Sequence, residues 1–330
     1  MSKSIKHVHQ RRQLGLSLIE LMIAMIVGLL LLGGLIQIYL SSKQSYNAQE
    51  QLARMQESGR FAMDLITTDL RRSGYWGGSV DLRRIEAGNP GAITNTSTPP
   101  VSHTCAANTN WGRMIRWRVS GLNNTNAGYT CAAGYDATIA SDILTVRYAG
   151  PAPIATLPSA EPNRLYLRDN TDSGVIMTQA TASAPENEPA AIVGDNVEPT
   201  VRALVSHAYY IGNSGRTCPG GAAIPALMRV RLGTDGLPVS EEIASGAEAL
   251  EVQYLLGEEY LNADEINDDE WLLVSAVRVW LLVRAECAEQ GLVNDAVYVM
   301  GDQVVGPDNI RRQLYVSTVM LRNSRVGDVL

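Results

Sequence analysis

The sequence contains few residues of the kinds that carry out chemistry. Four histidines occur among 330 residues, and two of them, His7 and His9, precede the apolar segment that begins at Leu16. The sequence has no HExxH, GxSxG, phosphate-loop or dinucleotide-binding motif. We interpret His207, beside tyrosines in a strand pattern, as a packed or hydrogen-bonded core residue and His103 as a solvated loop residue. The chain is therefore predicted to be neither an enzyme nor a cofactor-binding protein.

The cysteines are also sparse, and none forms a CxxC pair. Cys105, Cys131, Cys218 and Cys287 thus lack the spacing of a zinc site or a thioredoxin-like motif, and we predict no metal site from them. An even number of cysteines in a domain that is predicted to be exported indicates disulfides. We favour Cys105–Cys131, which closes a loop rich in Asn, Thr and Gly, together with Cys218–Cys287. The other two pairings, or four free buried thiols, are the alternatives.

Acidic residues outnumber basic residues, 34 to 27. The formal net charge is −7, and four of the Lys and Arg residues precede Gly15, so removal of residues 1–15 leaves −11. Binding to nucleic acid requires cations that displace counterions from phosphates. The acidic balance therefore argues against a nucleic-acid partner.

The N-terminus carries the strongest pattern in the sequence. A short basic head, MSKSIKHVHQRRQLG, precedes an apolar run that extends from Leu16 to Leu40, and within Leu21–Leu40 only Gln37 is clearly polar. About 20 apolar residues in a helix span the hydrocarbon core of a bilayer. The basic flank predicts that the head stays in the cytoplasm. One acid, Glu20, lies inside the run, where a charge costs about 2.5–3.5 kcal/mol.

The segment GLSLIELMIAMIVGLLLL resembles the class III signal of type IV prepilins and type II secretion pseudopilins. The resemblance implies that a membrane-bound prepilin peptidase cleaves between Gly15 and Leu16 and methylates the new amine of Leu16. It also implies that Glu20 docks the subunit by neutralising the N-terminal amine of a neighbour. Many major pilins begin with Phe at the position of Leu16, so Leu indicates a minor subunit. An ordinary signal anchor is the alternative.

The apolar pattern continues beyond the membrane segment at helical spacing. Polar residues 41–72 carry an apolar stripe, which the Ser73–Gly74 and Gly77–Gly78 pairs end. We therefore predict four regions: a leader at 1–15, a transmembrane half-helix at 16–40, an amphipathic half-helix at 41–73 and a β-rich globular domain at 74–330. The predicted class is α+β, a pilin-like long helix packed on a large antiparallel sheet.

Strand-like runs occupy the C-terminal half at intervals. The predicted strands are 142–148, 164–168, 203–211, 226–232, 248–256, 273–285 and 313–322. The segments PALMRVRL, EALEVQYLLG, VSAVRVWLLVRAE and RRQLYVSTVMLRN are similar, in that order, to the closing segments of PilW-type minor pilins. Residues 76–140 match no motif and are predicted to be loops with short strands.

The acidic stretch 262–270 raises a calcium hypothesis, because calcium favours several oxygen ligands from one short loop. The EF-hand spacing fails, since Ile266 occupies a ligand position and the central Gly is missing. We interpret the stretch as a solvated loop and predict no metal ligand.

The resemblance implies a minor pilin that primes assembly of a type IV pilus and sits at its tip, supporting twitching motility and adhesion. The expected partners are the prepilin peptidase, other minor pilins, the major pilin, a PilY-type tip protein and the inner-membrane assembly platform. The expected location is the inner membrane, with the globular domain in the periplasm, and then the pilus tip. The alternatives are a J-type pseudopilin of type II secretion and a binding module, either an adhesin or a DNA-uptake receptor, carried by loops 76–140.

Overall fold

The structure is a computed structural model that describes residues 17–78, 85–86, 110–127, 129–135, 141–158, 161–170, 173–183, 199–289 and 291–323. The chain divides into two compact units, Met1–Leu52 and Ala53–Leu330. In its described part, the first unit is entirely helical after Ser17. The second contains the rest of that helix and every described strand.

One long helix, α1, runs from Leu18 to Arg72. It ends where Gly74 adopts a positive φ of +72°, a conformation that Gly tolerates without steric cost. Within the second unit, α1 buries the stripe that the helical spacing predicts, so that Ala62, Ile66 and Leu70 are completely inaccessible to solvent. The helix ends at Arg72, one residue before the predicted end of the amphipathic half-helix.

The larger sheet in the described residues has eight strands in the order β1-β5-β4-β6-β3-β2, and β7 and β8 continue from β6. Neighbouring strands are antiparallel, except that β1 pairs with β5 in parallel. The strands are β1 (Ile85–Glu86), β2 (Val119–Leu122), β3 (Ile143–Ala149), β4 (Leu165–Asp169), β5 (Gly174–Thr178), β6 (Thr200–Thr217), β7 (Ala223–Leu232) and β8 (Pro238–Ser245).

A second described sheet has four antiparallel strands in the order β10-β9-β11-β14, and a separate hairpin pairs β12 with β13. Ala249 and Leu282 pack with Met300 of the hairpin, so the hairpin covers part of this sheet. The strands are β9 (Ala247–Leu256), β10 (Glu259–Leu261), β11 (Ala276–Arg284), β12 (Tyr298–Met300), β13 (Gln303–Val305) and β14 (Arg312–Met320).

Short helical turns connect these strands. They are α2 (Asn110–Arg113) and the 3₁₀ turns Gln179–Thr181, Ala263–Glu265 and Glu270–Leu273. A disulfide joins Cys218, directly after β6, to Cys287, three residues after β11, and so links the two sheets. This is the favoured pairing for these two cysteines. Cys131 is also disulfide-bonded, but Cys105 lies outside the described residues, so the Cys105–Cys131 pair stays a prediction.

A buried arginine attaches the segment around α2 to the larger sheet. Arg147 on β3 is fully buried and donates hydrogen bonds to the carbonyl oxygens of Trp111 (3.3 Å) and Trp117 (2.9 Å). Its guanidinium carbon lies 5.5 Å from the centre of the Trp111 ring, within the range of a cation–π contact. Burial lowers the pKa of Arg147. Part of the region 76–140 is therefore ordered against the sheet.

All seven predicted strands are present, with shifted ends. The prediction for 273–285 is wrong at its start, because Glu270–Leu273 forms a 3₁₀ turn and β11 begins at Ala276. The antiparallel sheet domain and the long helix confirm the predicted fold class.

Candidate functional site

Glu20 lies in the first turn of α1. The carbonyl oxygen of Ser17 accepts backbone hydrogen bonds from Glu20 (3.0 Å) and Leu21 (3.1 Å), which starts the helix. A negative charge is favourable in this turn because the helix dipole is positive at its N-terminus. Glu20 is exposed. Gly15 and Leu16 lie outside the described residues, so cleavage and methylation at this junction stay predictions.

The segment that follows Glu20 has an apolar surface on all sides. Every large apolar side chain between Leu18 and Leu40 is exposed, from 49% for Val27 to 78% for Leu18. By length and composition α1 can cross a membrane, and its most apolar window has a mean hydropathy of 2.5. A helix that is apolar all round requires lipid or other apolar helices as its surroundings.

A buried carboxylate near the other end of α1 fastens the helix to the larger sheet. Asp69 is only 3% exposed. Its Oδ1 accepts a hydrogen bond from the Tyr148 hydroxyl (2.7 Å), and its Oδ2 accepts one from the Tyr209 hydroxyl (2.5 Å). The Nδ1 atom of His207 lies 2.5 Å from the same Oδ2. We call this group, Asp69 with Tyr148, His207 and Tyr209, the Asp69 clamp.

The Asp69 clamp stabilises the ionised form of its acid. Burial alone raises the pKa of Asp69, but the hydrogen bond and charge of His207 and the hydrogen bonds from both tyrosines outweigh burial and hold that pKa below its usual value. Sequence reasoning missed Asp69, although the signal was present. Asp69 lies between Ile66 and Leu70 on the buried stripe of α1, where an acid needs a partner.

Two further contacts fix this half of α1. The helix surface at Gly59 touches the smaller sheet so closely that a Cβ there would lie 2.1 Å from the ring of Tyr315 on β14. At the end of the helix, the Asn323 amide donates a hydrogen bond to the carbonyl oxygen of Ser73 (3.0 Å). Residues 53–72 therefore contact both sheets.

The structure places the remaining candidates away from each other. His207 belongs to the Asp69 clamp, so its interpretation as a hydrogen-bonded residue is confirmed, whereas His103 lies outside the described residues. In the stretch 262–270, Glu265 accepts a hydrogen bond from the backbone of Asn262, and Asp269 pairs with Arg116 at 2.7 Å. Within the described residues no three Asp, Glu, His or Cys side chains converge to hold a metal ion.

Known families match both ends of the chain. Residues 10–36 match the prokaryotic N-terminal methylation motif, and residues 208–323 match the family of the type IV pilus-assembly protein W. No curated protein is similar enough in sequence to match. Among solved structures, a type IV-like pilin from Thermus thermophilus is 13% identical over 56% of this chain and 79% of its own, with a TM-score of 0.27. An overlap this low adds nothing to the assignment.

The match to the methylation motif, a helix whose N-terminal half is exposed and apolar enough to cross a membrane, and an antiparallel sheet domain together make the chain similar to type IV pilins. More particularly, residues 208–323, from within β6 to the turn after β14, are similar to the family of the type IV pilus-assembly protein W. Both ends of the chain thus resemble structural proteins of the pilin class.

Proposed function

We propose that this chain is a minor pilin that primes assembly of a type IV pilus and is incorporated at its tip. The observation that carries the proposal is the exposed apolar half of α1, with a single acid in its first turn, joined in one chain to a PilW-type domain. Initiation of a filament requires a subunit that offers both a membrane helix and a folded head. In this role the chain supports pilus formation, and through it twitching motility and adhesion.

The mechanism that we propose is helix docking driven by charge pairing. Glu20 is the one acid between Leu16 and Leu40, and a charge at that depth costs about 2.5–3.5 kcal/mol in a bilayer. Pairing with the N-terminal amine of a neighbouring subunit offsets this cost, because two opposite charges attract strongly where the effective dielectric constant is low. The apolar side chains around Glu20 then pack against the helices of adjacent subunits.

The substitution Glu20→Ala tests this mechanism in cells. Because the variant keeps the apolar run, we expect normal amounts in the inner membrane but fewer pili and weaker co-purification with other pilins. Glu57→Ala is the matched control, since Glu57 is an exposed acid on the same helix beyond the apolar segment. We expect this control to assemble pili normally.

Two outcomes would contradict the proposal at different levels. A normal number of pili in the Glu20→Ala strain would show that charge pairing does not drive docking. If deletion of the gene left pili intact but stopped the release of secreted proteins, the chain would instead be a pseudopilin of type II secretion. Electron microscopy of pili and assays of secreted proteins on the same strains separate these results.

A further inference from the structure

The smaller sheet ends in a long strand whose outer edge is open. Among the described residues, β14 pairs with β11 through nine residue pairs without a register shift, and no strand pairs with it on the other side. Unpaired backbone N–H and C=O groups along such an edge form a template for another chain, so native proteins keep edges short or protect them with proline, charges or bulges. An open edge of this length therefore calls for an explanation.

The other sheet edges among the described strands are protected. The edge strand β8 begins with Pro238, carries Glu241 and Glu242, and pairs with β7 through a register shift. The edge strands β1, β2 and β10 have only two, four and three residues. By contrast β14, with the sequence RQLYVSTVM, has no proline, glycine, lysine or acid, and its one charged residue, Arg312, lies at its start. In the described part of the chain, β14 is thus the long edge that lacks these protections.

The hydrogen bonds at the two ends of β14 determine which of its backbone groups face the open edge. The N–H of Ala285 donates to the carbonyl oxygen of Arg311 (2.8 Å), and the N–H of Leu321 donates to that of Ser275 (2.9 Å). In an antiparallel pair, residues that bond to the neighbouring strand alternate with residues whose N–H and C=O groups point away from it. The odd-numbered residues of β14 therefore bond to β11, and the even-numbered residues direct their backbone groups to the open edge.

Residues 314 to 320 form the free part of this edge. The hydroxyl of Tyr298 on β12 donates a hydrogen bond to the carbonyl oxygen of Arg312 (3.1 Å), which closes the start of the edge. Beyond it, the even-numbered residues carry their side chains on one face of the sheet, where Val316 and Met320 are 54% and 72% exposed. Donors and acceptors at this spacing match the backbone of an extended strand, so the edge fits a β-strand whose apolar side chains contact Val316 and Met320.

The charges beside the edge indicate what the added strand carries. Arg60 on α1 acts on the Tyr315 hydroxyl: burial raises the pKa of Tyr315, and the Arg60 charge opposes this rise. Arg322, just beyond the end of β14, is exposed. Neither arginine forms an ion pair within the described residues. Because β14 contains no acid, the same strand of a second copy cannot neutralise them. The edge therefore favours a strand of a different chain that carries a carboxylate.

We propose that the open edge of β14, residues 314–320, accepts an extended strand from another subunit of the filament, with alternating apolar side chains and a carboxylate that faces Arg322. That the partner is a filament subunit rests on the proposed function, whereas strand addition rests on the edge itself. The added strand continues the smaller sheet beyond β14. The folded head thus holds a neighbour through backbone hydrogen bonds, in addition to the contacts of the apolar half of α1.

The test places a photoreactive phenylalanine analogue at Val316 of the full-length chain in its native cells. Irradiation should link the chain to a different protein that carries its own N-terminal methylation motif. The linked peptide should contain alternating apolar residues and an acid. Val239 is the matched control site, because it is an exposed valine on the protected edge strand β8, and the analogue there should give no such adduct.

The substitution Thr318→Pro, combined with the analogue at Val316, tests the backbone hydrogen bonds. The N–H of Thr318 points to the open edge, so its loss removes no bond to β11, and edge strands tolerate proline at such positions. We expect the yield of the adduct to fall about tenfold, because the added strand loses a hydrogen bond and keeps an unpaired acceptor. Thr318→Val is the matched control, since it retains the N–H, and it should leave the adduct unchanged.

The substitution Arg322→Glu tests the charge without altering the backbone. We expect it to lower the yield of the adduct, because a carboxylate on the added strand would meet a like charge. Arg322→Lys keeps the positive charge and should preserve the adduct. Thermal unfolding of the purified variants separates a lost contact from a lost fold, and the Tm of both Arg322 variants should equal that of the wild type, since Arg322 is exposed.

The inference is overturned if irradiation gives no adduct from Val316, or if the adduct forms at the wild-type yield in the Thr318→Pro variant. An adduct with a second copy of this chain alone also overturns it, because the edge would then serve self-association. These results are separate from a failure of the proposed function, which is shown by intact pili after deletion of the gene.

Discussion

Asp69 shows how one residue can hold a helix against a sheet. Its two oxygens accept hydrogen bonds from Tyr148 on β3 and Tyr209 on β6, and His207 lies on the same strand as Tyr209. Each contact joins residues about 80 to 140 positions apart in sequence. A buried carboxylate with this many partners contributes to stability only while it remains ionised.

We expect Asp69→Asn to destabilise the folded domain by about 2–3 kcal/mol. The amide replaces one accepting oxygen with a donor, which then faces the N–H and O–H groups of the clamp and leaves buried donors without an acceptor. Chemical denaturation of the variant and of the wild type at neutral pH measures this difference. Asp64→Asn is the control, because Asp64 is exposed on the same helix, and it should change stability by no more than about 0.5 kcal/mol.

The Asp69 clamp also predicts how the free energy of unfolding depends on pH. Because the folded chain holds the pKa of Asp69 below 3.8, the stabilisation is complete above the unfolded value and is lost as pH falls through the folded value. Thermal unfolding from about pH 5 downward should therefore show a steeper loss of stability in the wild type than in Asp69→Asn. Parallel pH profiles for the two proteins would show that Asp69 is not the titrating group.

At the level of elements, α1 packs closely against the smaller sheet at Gly59. A glycine normally weakens a helix interior by about 0.5–1 kcal/mol relative to alanine, but here the ring of Tyr315 occupies the space of a side chain. We expect Gly59→Ala to destabilise the domain by about 1–3 kcal/mol, because the ring must move. Equilibrium denaturation measures this cost.

The Tyr315→Ala variant serves as a second background in which the stability effect of Gly59→Ala is measured. Without the ring, Gly59→Ala should be neutral or stabilising, since only the gain in helix propensity remains. An equal loss of stability in both backgrounds would mean that the contact with Tyr315 does not explain the glycine.

The Cys218–Cys287 disulfide constrains the two sheets through a sequence separation of 69 residues. We expect replacement of both cysteines by serine to cost about 2–4 kcal/mol, because the unfolded chain gains freedom that the bond removes. Denaturation under non-reducing conditions measures the loss. A peptide map of the wild type should contain Cys218 and Cys287 in one linked fragment, and its absence would contradict the pairing.

The strand β8, which the sequence analysis did not predict, shows how a hydrophobic pattern can miss a strand. The strand β8 reads PVSEEIAS, which begins with proline and is rich in polar residues. It pairs with β7 through charge, since Glu241 accepts hydrogen bonds from Arg229 and Arg231. Such pairs stabilise a strand only when its neighbour is in register, so a hydrophobic pattern does not reveal them.

The candidate site residues also differ in whether the sequence alone reveals them. Gly15, Leu16 and Glu20 are predicted from one local motif, because helix start, apolar run and acid follow each other directly in sequence. An acid on the apolar stripe of α1 is the only sign of Asp69 in the sequence. Its partners Tyr148, His207 and Tyr209 are revealed only by the fold, because they lie on strands far away in sequence.

At the scale of the whole molecule, the two family matches predict that the chain is cleaved and methylated near its N-terminus. We expect the protein purified from its native membrane to begin at a methylated Leu16, because the methylation motif covers the Gly15–Leu16 junction. Intact mass and the N-terminal peptide measure this directly. A chain that still begins at Met1, or one cut beyond Leu40, would contradict processing as a prepilin.

The contacts of Tyr315 and Asn323 with α1 also determine when this domain can become complete. The hydroxyl of Tyr315 lies 3.4 Å from the Met55 carbonyl oxygen, 260 residues earlier, and Asn323 caps a carbonyl 250 residues earlier. The domain therefore cannot close step by step as the chain emerges from a ribosome or a membrane pore. Until β14 has appeared, the surface of α1 at Met55 and Gly59, which contacts Tyr315, stays uncovered and open to proteases and aggregation. A chain that stops short of β14 cannot cover this surface with Tyr315, so we expect truncated products to be degraded.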